Sequence, residues 1–230
     1  MVVIPTYNER DTIVDLIGKI LELPRFRVLV VDDNSPDGTG TLVTDLSLKE
    51  PRVGLLPRSG KLGLGSAYIA GFRRALREGS QYIFEMDADF SHDPAYLPYL
   101  LQAVELHCDL AIGSRYVRGG DTVNWGFMRQ FISRSGNLYA GLILQLPTTD
   151  STSGFRCYHR RVLAALNLSA IRSNGYAFQI EMVYRTKQAG FRIQELPIIF
   201  PDRRVGKSKM SRHIVLEALI NVWRLRLGLM

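Results

Sequence analysis

Apolar positions along the chain alternate between short unbroken runs and longer stretches with helical spacing. Val2-Val3-Ile4 and Val28-Leu29-Val30-Val31 are continuous apolar runs closed by turn residues, the pattern of strands buried on both faces. Val53 to Leu56, Tyr82 to Met86 and a run over 109–113 read the same way. Between them apolar residues recur every three or four positions. Ile13, Leu16, Ile17, Ile20 and Leu21 share one face, with Asp11 or Thr12 placed to cap that helix. Further helices are expected over about 39–48, from Ala67 through Leu76, and over about 95–106. Pro94 opens the last of these, since proline suits a first helical turn. Strand and helix alternate through residue 113, which predicts an α/β fold with a mostly parallel sheet covered by helices on both faces.

The second half is less regular. Gly113-Ser114-Arg115-Tyr116 leaves a strand for a glycine-rich loop containing Trp125. Helices are expected over about 128–144, 176–189 and 213–228, with a strand over about 191–200. Arg129 and Ser133 lie four apart and share a helix face. Thr152-Ser153-Gly154-Phe155-Arg156 is turn-rich, and Pro201 to Lys209 is strongly basic and expected to be mobile. No internal repeat or low-complexity tract interrupts the chain.

Three expected strands end in polar loops, at Tyr7 to Glu9, Asp32 to Asp37 and Asp87 to Asp89. Right-handed crossovers bring such ends to one edge of the sheet, where open α/β sheets bind ligands. Asp87 and Asp89, one residue apart beyond the Tyr82-Ile83-Phe84 run, suit a hard divalent cation shared with phosphate oxygens. Gly60-Lys61-Leu62-Gly63-Leu64-Gly65 permits close backbone approach. It lacks the Gly-Lys-Ser/Thr of a P-loop and the glycine spacing of a dinucleotide site, which argues against a dehydrogenase.

Size and charge narrow the classes further. The 230 residues, 46% hydrophobic, suffice for one large domain with a real core. Cys108 and Cys157 make neither a metal spacing nor a disulfide framework, which suggests a reducing compartment. No stretch reaches the roughly 18–20 apolar residues that span a bilayer. No basic region precedes the first strand, so no signal peptide is expected; the abrupt start inside a strand suggests residues lost upstream, and the end after an apolar helix suggests a lost membrane tail. The net charge of +7 suits an anionic partner of some kind. The basic residues sit in late loops while the strand ends are acidic, which argues against a nucleic-acid-binding module.

Taken together, Val3-Ile4-Pro5-Thr6-Tyr7-Asn8-Glu9, Val31-Asp32-Asp33-Asn34-Ser35-Pro36-Asp37-Gly38, Asp87-Ala88-Asp89, Gly113-Ser114-Arg115-Tyr116 and Ser153-Gly154-Phe155-Arg156 resemble the inverting GT-A glycosyltransferases. The Asp-Asp-x-Ser-Pro-Asp-Gly segment and the late Arg-x-x-Gly-x-Ser-Lys resemble the polyprenyl-phosphate (dolichyl-phosphate) mannose synthase branch. The resemblance covers essentially the whole chain. It implies a single Rossmann-like GT-A domain, with residues 1–113 binding a nucleotide sugar and 114–230 binding the acceptor and ending in an amphipathic helix. It implies transfer of mannose from GDP-mannose to a polyprenyl phosphate, with Mg²⁺ or Mn²⁺ as cofactor, on the cytoplasmic face of a membrane as a peripheral protein. A separate anchoring subunit is a further expected partner. By position, Pro5, Tyr7, Glu9, Val30, Asp32 and Ala88 match nucleotide-contacting residues. Asp87 and Asp89 match the metal-diphosphate motif. Ser91 stands where some relatives carry a glutamine metal ligand, so water is expected to complete the coordination. Arg115, Arg129 and Ser133 match substrate- and acceptor-phosphate contacts, and Arg203 and Lys209 match the cations of a late loop over the diphosphate.

A phosphate monoester acceptor is largely ionised at neutral pH, its second pKa lying near 6, and needs no general base. A hydroxyl acceptor would need one, and Asp93, Asp150 and Glu181 are the carboxylates to weigh, although Glu181 reads better as a buried paired group. His92 reads as a helix-capping histidine and Tyr82, Phe84 and Phe178 as core. The apolar faces of the helices near 128–144 and 213–228 are read either as core or as a membrane-interface surface, with Trp223, Arg224 and Arg226 favouring the second for the last helix. A related polyprenyl-phosphate transferase using another nucleotide sugar, such as UDP-glucose, is the alternative, with a non-catalytic nucleotide-binding module as the reading from another class.

Overall fold

The computed structural model describes residues 1–202 and 212–229. Arg203 and Lys209 lie outside the described residues. The first half follows the hydrophobic pattern: β1 (Val2–Thr6), α1 (Arg10–Leu21), β2 (Val28–Asp32), α2 (Thr39–Ser47), β3 (Val53–Pro57), α3 (Leu64–Arg77) and β4 (Tyr82–Glu85). A 3₁₀ turn, Pro94–Tyr96, leads into α4 (Leu97–Leu106) and β5 (Leu110–Ser114). Then come β6 (Asp121–Val123), α5 (Phe127–Leu144), β7 (Arg156–His159), α6 (Arg160–Ala165) and α7 (Gly175–Gln188). The remaining elements are β8 (Ile193–Pro197), β9 (Ile199–Pro201) and α8 (Arg212–Arg226).

The main sheet has seven strands in the order β3-β2-β1-β4-β7-β5-β8. Every pairing is parallel except those of β7, which runs antiparallel to both β4 and β5. Alternation along each strand divides the core between the two faces. Val2, Ile4, Val28, Val30 and Phe84 pack with Ile13, Leu16, Ile17 and Ile20 of α1 and with Leu97, Leu100 and Val104 of α4. Val3, Leu29, Val31, Ile83 and Tyr158 pack with Tyr68 and Phe72 of α3, Val162 of α6 and Phe178 and Met182 of α7. A smaller cluster joins Ala140 and Leu144 of α5, Ile180 of α7 and Val222 and Leu225 of α8.

Three local expectations change. The helix near residue 10 starts at Arg10 with Glu9 as its N-cap, so Asp11 and Thr12 both fall inside its first turn; the Thr12 hydroxyl turns back to the Glu9 carbonyl at 3.2 Å. The single strand expected over 191–200 is two, because β8 ends at Pro197 on the main sheet and β9 pairs with β6 in a separate two-stranded sheet. Proline has no N–H to carry a ladder onward. β7 and α6 follow the turn-rich 152–156 segment, in a stretch where no element was expected.

Gly71 sets how closely α3 lies on the sheet. A Cβ there would overlap the Val3 side chain and stand 3.1 Å from Val31 Cγ2. Gly71→Ala is therefore expected to destabilise the fold by about 1–3 kcal/mol through overpacking. Denaturant unfolding measures this, and an unchanged or raised midpoint would contradict the packing described.

Candidate functional site

The parallel strands β1, β2 and β4 deliver their ends to one edge, and the carboxylates there are held by short-range donors. Asp32, buried at the end of β2, accepts from Thr6 Oγ1 at 2.8 Å, Ser35 Oγ at 2.6 Å and the Ser35 N–H at 3.0 Å. The Glu9 N–H donates to Thr39 Oγ1 at 3.1 Å, which ties the first loop to the second. Asp33 pairs with Arg58 at 3.2 Å and accepts from the Leu62 N–H at 3.1 Å, so the glycine-rich segment is drawn to the same edge. Lys61 on that segment stands 4.2 Å over the Tyr7 ring. Pro5 and Tyr7 sit at this mouth, half-buried. Val30 is different: it lies in mid-strand, fully buried, and packs the core beneath the site. Ala88 is also buried in that core cluster.

The loop after β4 carries the paired aspartates. Asp87 Oδ1 accepts from the Tyr68 hydroxyl at 3.2 Å, and the Asp87 N–H donates to His92 Nδ1 at 3.0 Å. His92 is buried and stacked on Phe155 at 4.8 Å, so it braces this loop; the cap expected of it is made by Asp93, which accepts from the Ala95 N–H. Asp89 Oδ1 accepts both the Ser91 N–H at 3.1 Å and the Ser91 hydroxyl at 2.5 Å. Ser91 thus orients Asp89. Between them Phe90 has φ 63°, a left-handed conformation that is costly for a bulky residue and typical of functional loops.

Beneath this loop sits a buried polar network that the sequence did not announce. Glu85 and Arg156 oppose each other across β4 and β7, both fully buried. The Tyr158 hydroxyl donates to Glu85 Oε1 at 2.9 Å and accepts from Arg156 at 3.2 Å. Arg156 also donates to the carbonyls of Ser153 at 2.7 Å, Ser151 at 2.8 Å and Gln179 at 3.0 Å. Burial pushes the Glu85 carboxyl up to about 7, against the opposing pull of Arg156 and of hydrogen bonds from Gln179 and Tyr158.

The other cations gather in the second half. Arg115 is buried and grips Asp150 with two nitrogens, at 2.7 and 2.5 Å, while also donating to Thr152 Oγ1 at 2.9 Å. Burial would lower the Arg115 pKa, but Asp150 more than compensates and holds it raised. The expected phosphate contact is thus a guanidinium whose fork is already engaged. Arg129 pairs with Asp202 at 2.6 Å and lies 3.8 Å over the Trp125 ring. Ser133 accepts from the Tyr116 hydroxyl at 2.6 Å, which leaves its own O–H as a donor. Trp125 links the two arginines, since Arg115 also faces its ring at 5.3 Å.

Among the described residues no group of three or more His, Cys, Asp or Glu side chains converges on a point. Asp87 and Asp89 nevertheless offer the hard oxygen donors, one or two carboxylates, that Mg²⁺ or Mn²⁺ takes when substrate oxygens and water supply the rest. The residues present fit such a cation bound together with a diphosphate.

The sequence profile of Glycosyl transferase family 2 matches residues 1–166. The chain belongs to glycosyl transferase family 2. A polyprenol monophosphomannose synthase from Mycolicibacterium smegmatis is 46% identical to it over 230 residues, covering 98% of this chain and 87% of the relative. An undecaprenyl-phosphate mannosyltransferase from Micrococcus luteus is 49% identical over 225 residues, covering 97% and 92%. Among solved structures, mannosyl-3-phosphoglycerate synthase from Rubrobacter xylanophilus superposes with a TM-score of 0.69 at 19% identity, covering 100% of this chain and 74% of that one. A mannosyltransferase from Pyrobaculum calidifontis, solved with GDP-Man and Mn²⁺, gives 0.59 at 17% identity over 99% of this chain, which spans 60% of that protein's length. These two structural likenesses establish the α/β glycosyltransferase fold.

In this family 2 glycosyltransferase the Glu85 network makes a pH-dependent contribution. Unfolded, a glutamate loses its proton near pH 4.3; folded, Glu85 keeps it up to about 7. The native state therefore binds more protons across that window, and stability falls as pH rises through it. In metal-free buffer Glu85→Gln is expected to match the wild type near pH 4 and to exceed it at pH 8 by on the order of 3 kcal/mol. Urea unfolding at the two pH values decides this; a difference that does not change with pH would mean that Glu85 is ionised in the fold throughout.

Proposed function

We propose that the chain transfers mannose, with inversion, from GDP-mannose to a polyprenyl phosphate at the cytoplasmic surface of a membrane, with Mg²⁺ or Mn²⁺ assisting. Two curated relatives, near half-identical along almost their full length and named for mannosyl transfer involving polyprenols, support the substrate pair. The observation that carries the acceptor class is the state of the carboxylates. Each one weighed as a base for a hydroxyl acceptor is otherwise employed. Asp150 is gripped by Arg115, Glu181 is buried and paired with Arg185 at 2.6 Å, and Asp93 caps a turn. Arg129 and Ser133, a cation and a hydroxyl donor on one face of α5, suit a nucleophile that arrives already ionised.

In this reading the phosphate oxygen attacks the anomeric carbon, the bond from that carbon to the diphosphate breaks, and GDP leaves with the bonding electrons. Asp87 and Asp89 would hold the cation, which neutralises charge growing on the departing diphosphate. Asp32 and the Tyr7 loop would seat the nucleoside. Arg129 and Ser133 would orient the acceptor phosphate, and Arg115, locked to Asp150, would shape that site. Arg203 and Lys209 would cover the diphosphate.

No helix among the described residues is long and apolar enough to cross a membrane. Phe127, Met128, Phe131 and Ile132 of α5 and Trp223 of α8 are exposed, as is Leu227 just beyond it. Such surface, beside basic residues, supports a peripheral seat at a lipid interface.

Radiolabelled transfer from GDP-mannose to a short polyprenyl phosphate tests the proposal, with Mn²⁺, with Mg²⁺ and with EDTA, on wild type and Asp89→Ala. Wild type is expected to transfer mannose, EDTA to abolish it, and Asp89→Ala to lose about 10²-fold or more, as for other single electrostatic groups acting on a leaving group. Transfer from UDP-glucose instead would overturn the donor assignment. EDTA-insensitive transfer would overturn the metal.

A further inference from the structure

The acceptor side contains an anionic group for which the proposed reaction has no chemical use. Arg129 donates to Asp202 Oδ1 at 2.6 Å, and the two side chains keep 21% and 40% of their surface in solvent. The guanidinium is fixed from a second direction by the Trp125 ring 3.8 Å beneath it. Asp202 is fixed through its backbone. Its N–H donates to the Val123 carbonyl at 3.0 Å, one step beyond the β6–β9 ladder. Phe200, two residues earlier, is buried and meets Trp125 edge-on at 5.6 Å. Both ends of the pair are therefore carried on built elements, and the small β6–β9 sheet exists where it delivers this carboxylate.

We propose that Asp202 is a specificity gate, its carboxylate occupying Arg129 as a stand-in anion that a dianionic phosphate monoester displaces and a monoanionic phosphodiester does not. The inference rests on the reading of Arg129 as the acceptor-phosphate residue and extends it to which anions that residue admits.

The argument is one of charge. Carboxylate and phosphate present the same fork of oxygens to a guanidinium, so they compete for it directly. A monoester carries about −1.5 to −2 near neutral pH. A carboxylate and a phosphodiester each carry one negative charge. Replacing Asp202 by a diester exchanges one monoanion for another and gives up a prepositioned contact. Replacing it by a monoester gains charge at the same cation. A partly exposed ion pair is weak enough to be displaced by the stronger ligand. At a lipid surface nearly every other phosphate is a diester, so a rejection device at this position selects the acceptor from the bulk. Selectivity of this kind is built from a disfavoured contact with the wrong ligand rather than an added contact with the right one.

Titration calorimetry in neutral micelles tests the proposal on the full chain, with a short polyprenyl phosphate and its methyl diester as probes, for wild type, Asp202→Asn and Asp202→Glu. Wild type is expected to prefer the monoester by tenfold or more. Asp202→Asn is expected to bind the diester at least fivefold more tightly and to lose most of the preference, while Asp202→Glu keeps it. Loss of a merely structural residue would weaken binding, so tighter diester binding is a readout that misfolding cannot produce. Circular dichroism melts confirm that both variants fold. An unchanged preference in Asp202→Asn, or weaker monoester binding with the diester unaffected, overturns the gate. If Arg129→Ala binds the monoester as well as wild type does, the acceptor-site reading itself is what has failed, and the gate falls with it.

Discussion

One buried guanidinium organises the turn on which the second half of the site is built. β7 runs antiparallel between β4 and β5, and its first residue, Arg156, is wholly inside the protein. A charge there is costly unless its donors are satisfied. Arg156 spends them on the carbonyls of Ser151, Ser153 and Gln179 and on the Tyr158 oxygen. Two of these acceptors, the carbonyls of Ser151 and Ser153, thereby hold the 150–154 loop in place. That loop carries Asp150, which locks Arg115, and Gly154, where an added Cβ would stand 3.7 Å from Asp87 Oδ1. The loop that this side chain fixes thus holds the partner of Arg115 and runs close beside Asp87.

The acidic edge is preorganised in a different way. Asp32, Asp87 and Asp89 each accept hydrogen bonds from hydroxyls, those of Thr6 and Ser35, of Tyr68, and of Ser91. These donors hold carboxylates that would otherwise repel one another and turn away. Electrostatic catalysis depends on such groups being in place before charge develops. The left-handed backbone at Phe90 fits the same demand, since a loop that carries Asp89 and returns at once to Ser91 leaves little choice of path.

Much of this was legible in the sequence because the parallel half obeys local rules. Continuous apolar runs, helical spacing and acidic strand ends each report on neighbours in the chain, and the order of β1 to β5 follows from them. β7 was not legible. Its residues are Arg, Cys, Tyr and His, and nothing in that composition says that a guanidinium is buried opposite Glu85 in the centre of a sheet. Val30 shows a different limit: its place in the motif matches a nucleotide-contacting residue, while its side chain, on a doubly covered sheet, packs in the core. Arg115 showed its charge but not its partner, which lies 35 residues away.

The two sides of the site consequently tolerate change differently. The acidic edge combines contacts contained within a loop, Ser35 on Asp32 and Ser91 on Asp89, with neutral hydroxyl ties between loops, from Thr6 to Asp32 and from Tyr68 to Asp87. The acceptor side is built from pairs separated by 17, 35 and 73 residues, Tyr116 with Ser133, Arg115 with Asp150 and Arg129 with Asp202. Losing one member of a buried charged pair costs about 3–5 kcal/mol, because the other is left uncompensated. Arg115 and Asp150 can thus vary only together. A guanidinium so paired presents an oriented dipole with little net charge. In the proposed reading, the positive potential that would draw a phosphate to this side falls to cations in more exposed settings, Arg129 with its half-exposed partner and Arg134 over the Tyr116 ring. On that reading Arg115 would give the site its shape, and Arg129 its charge.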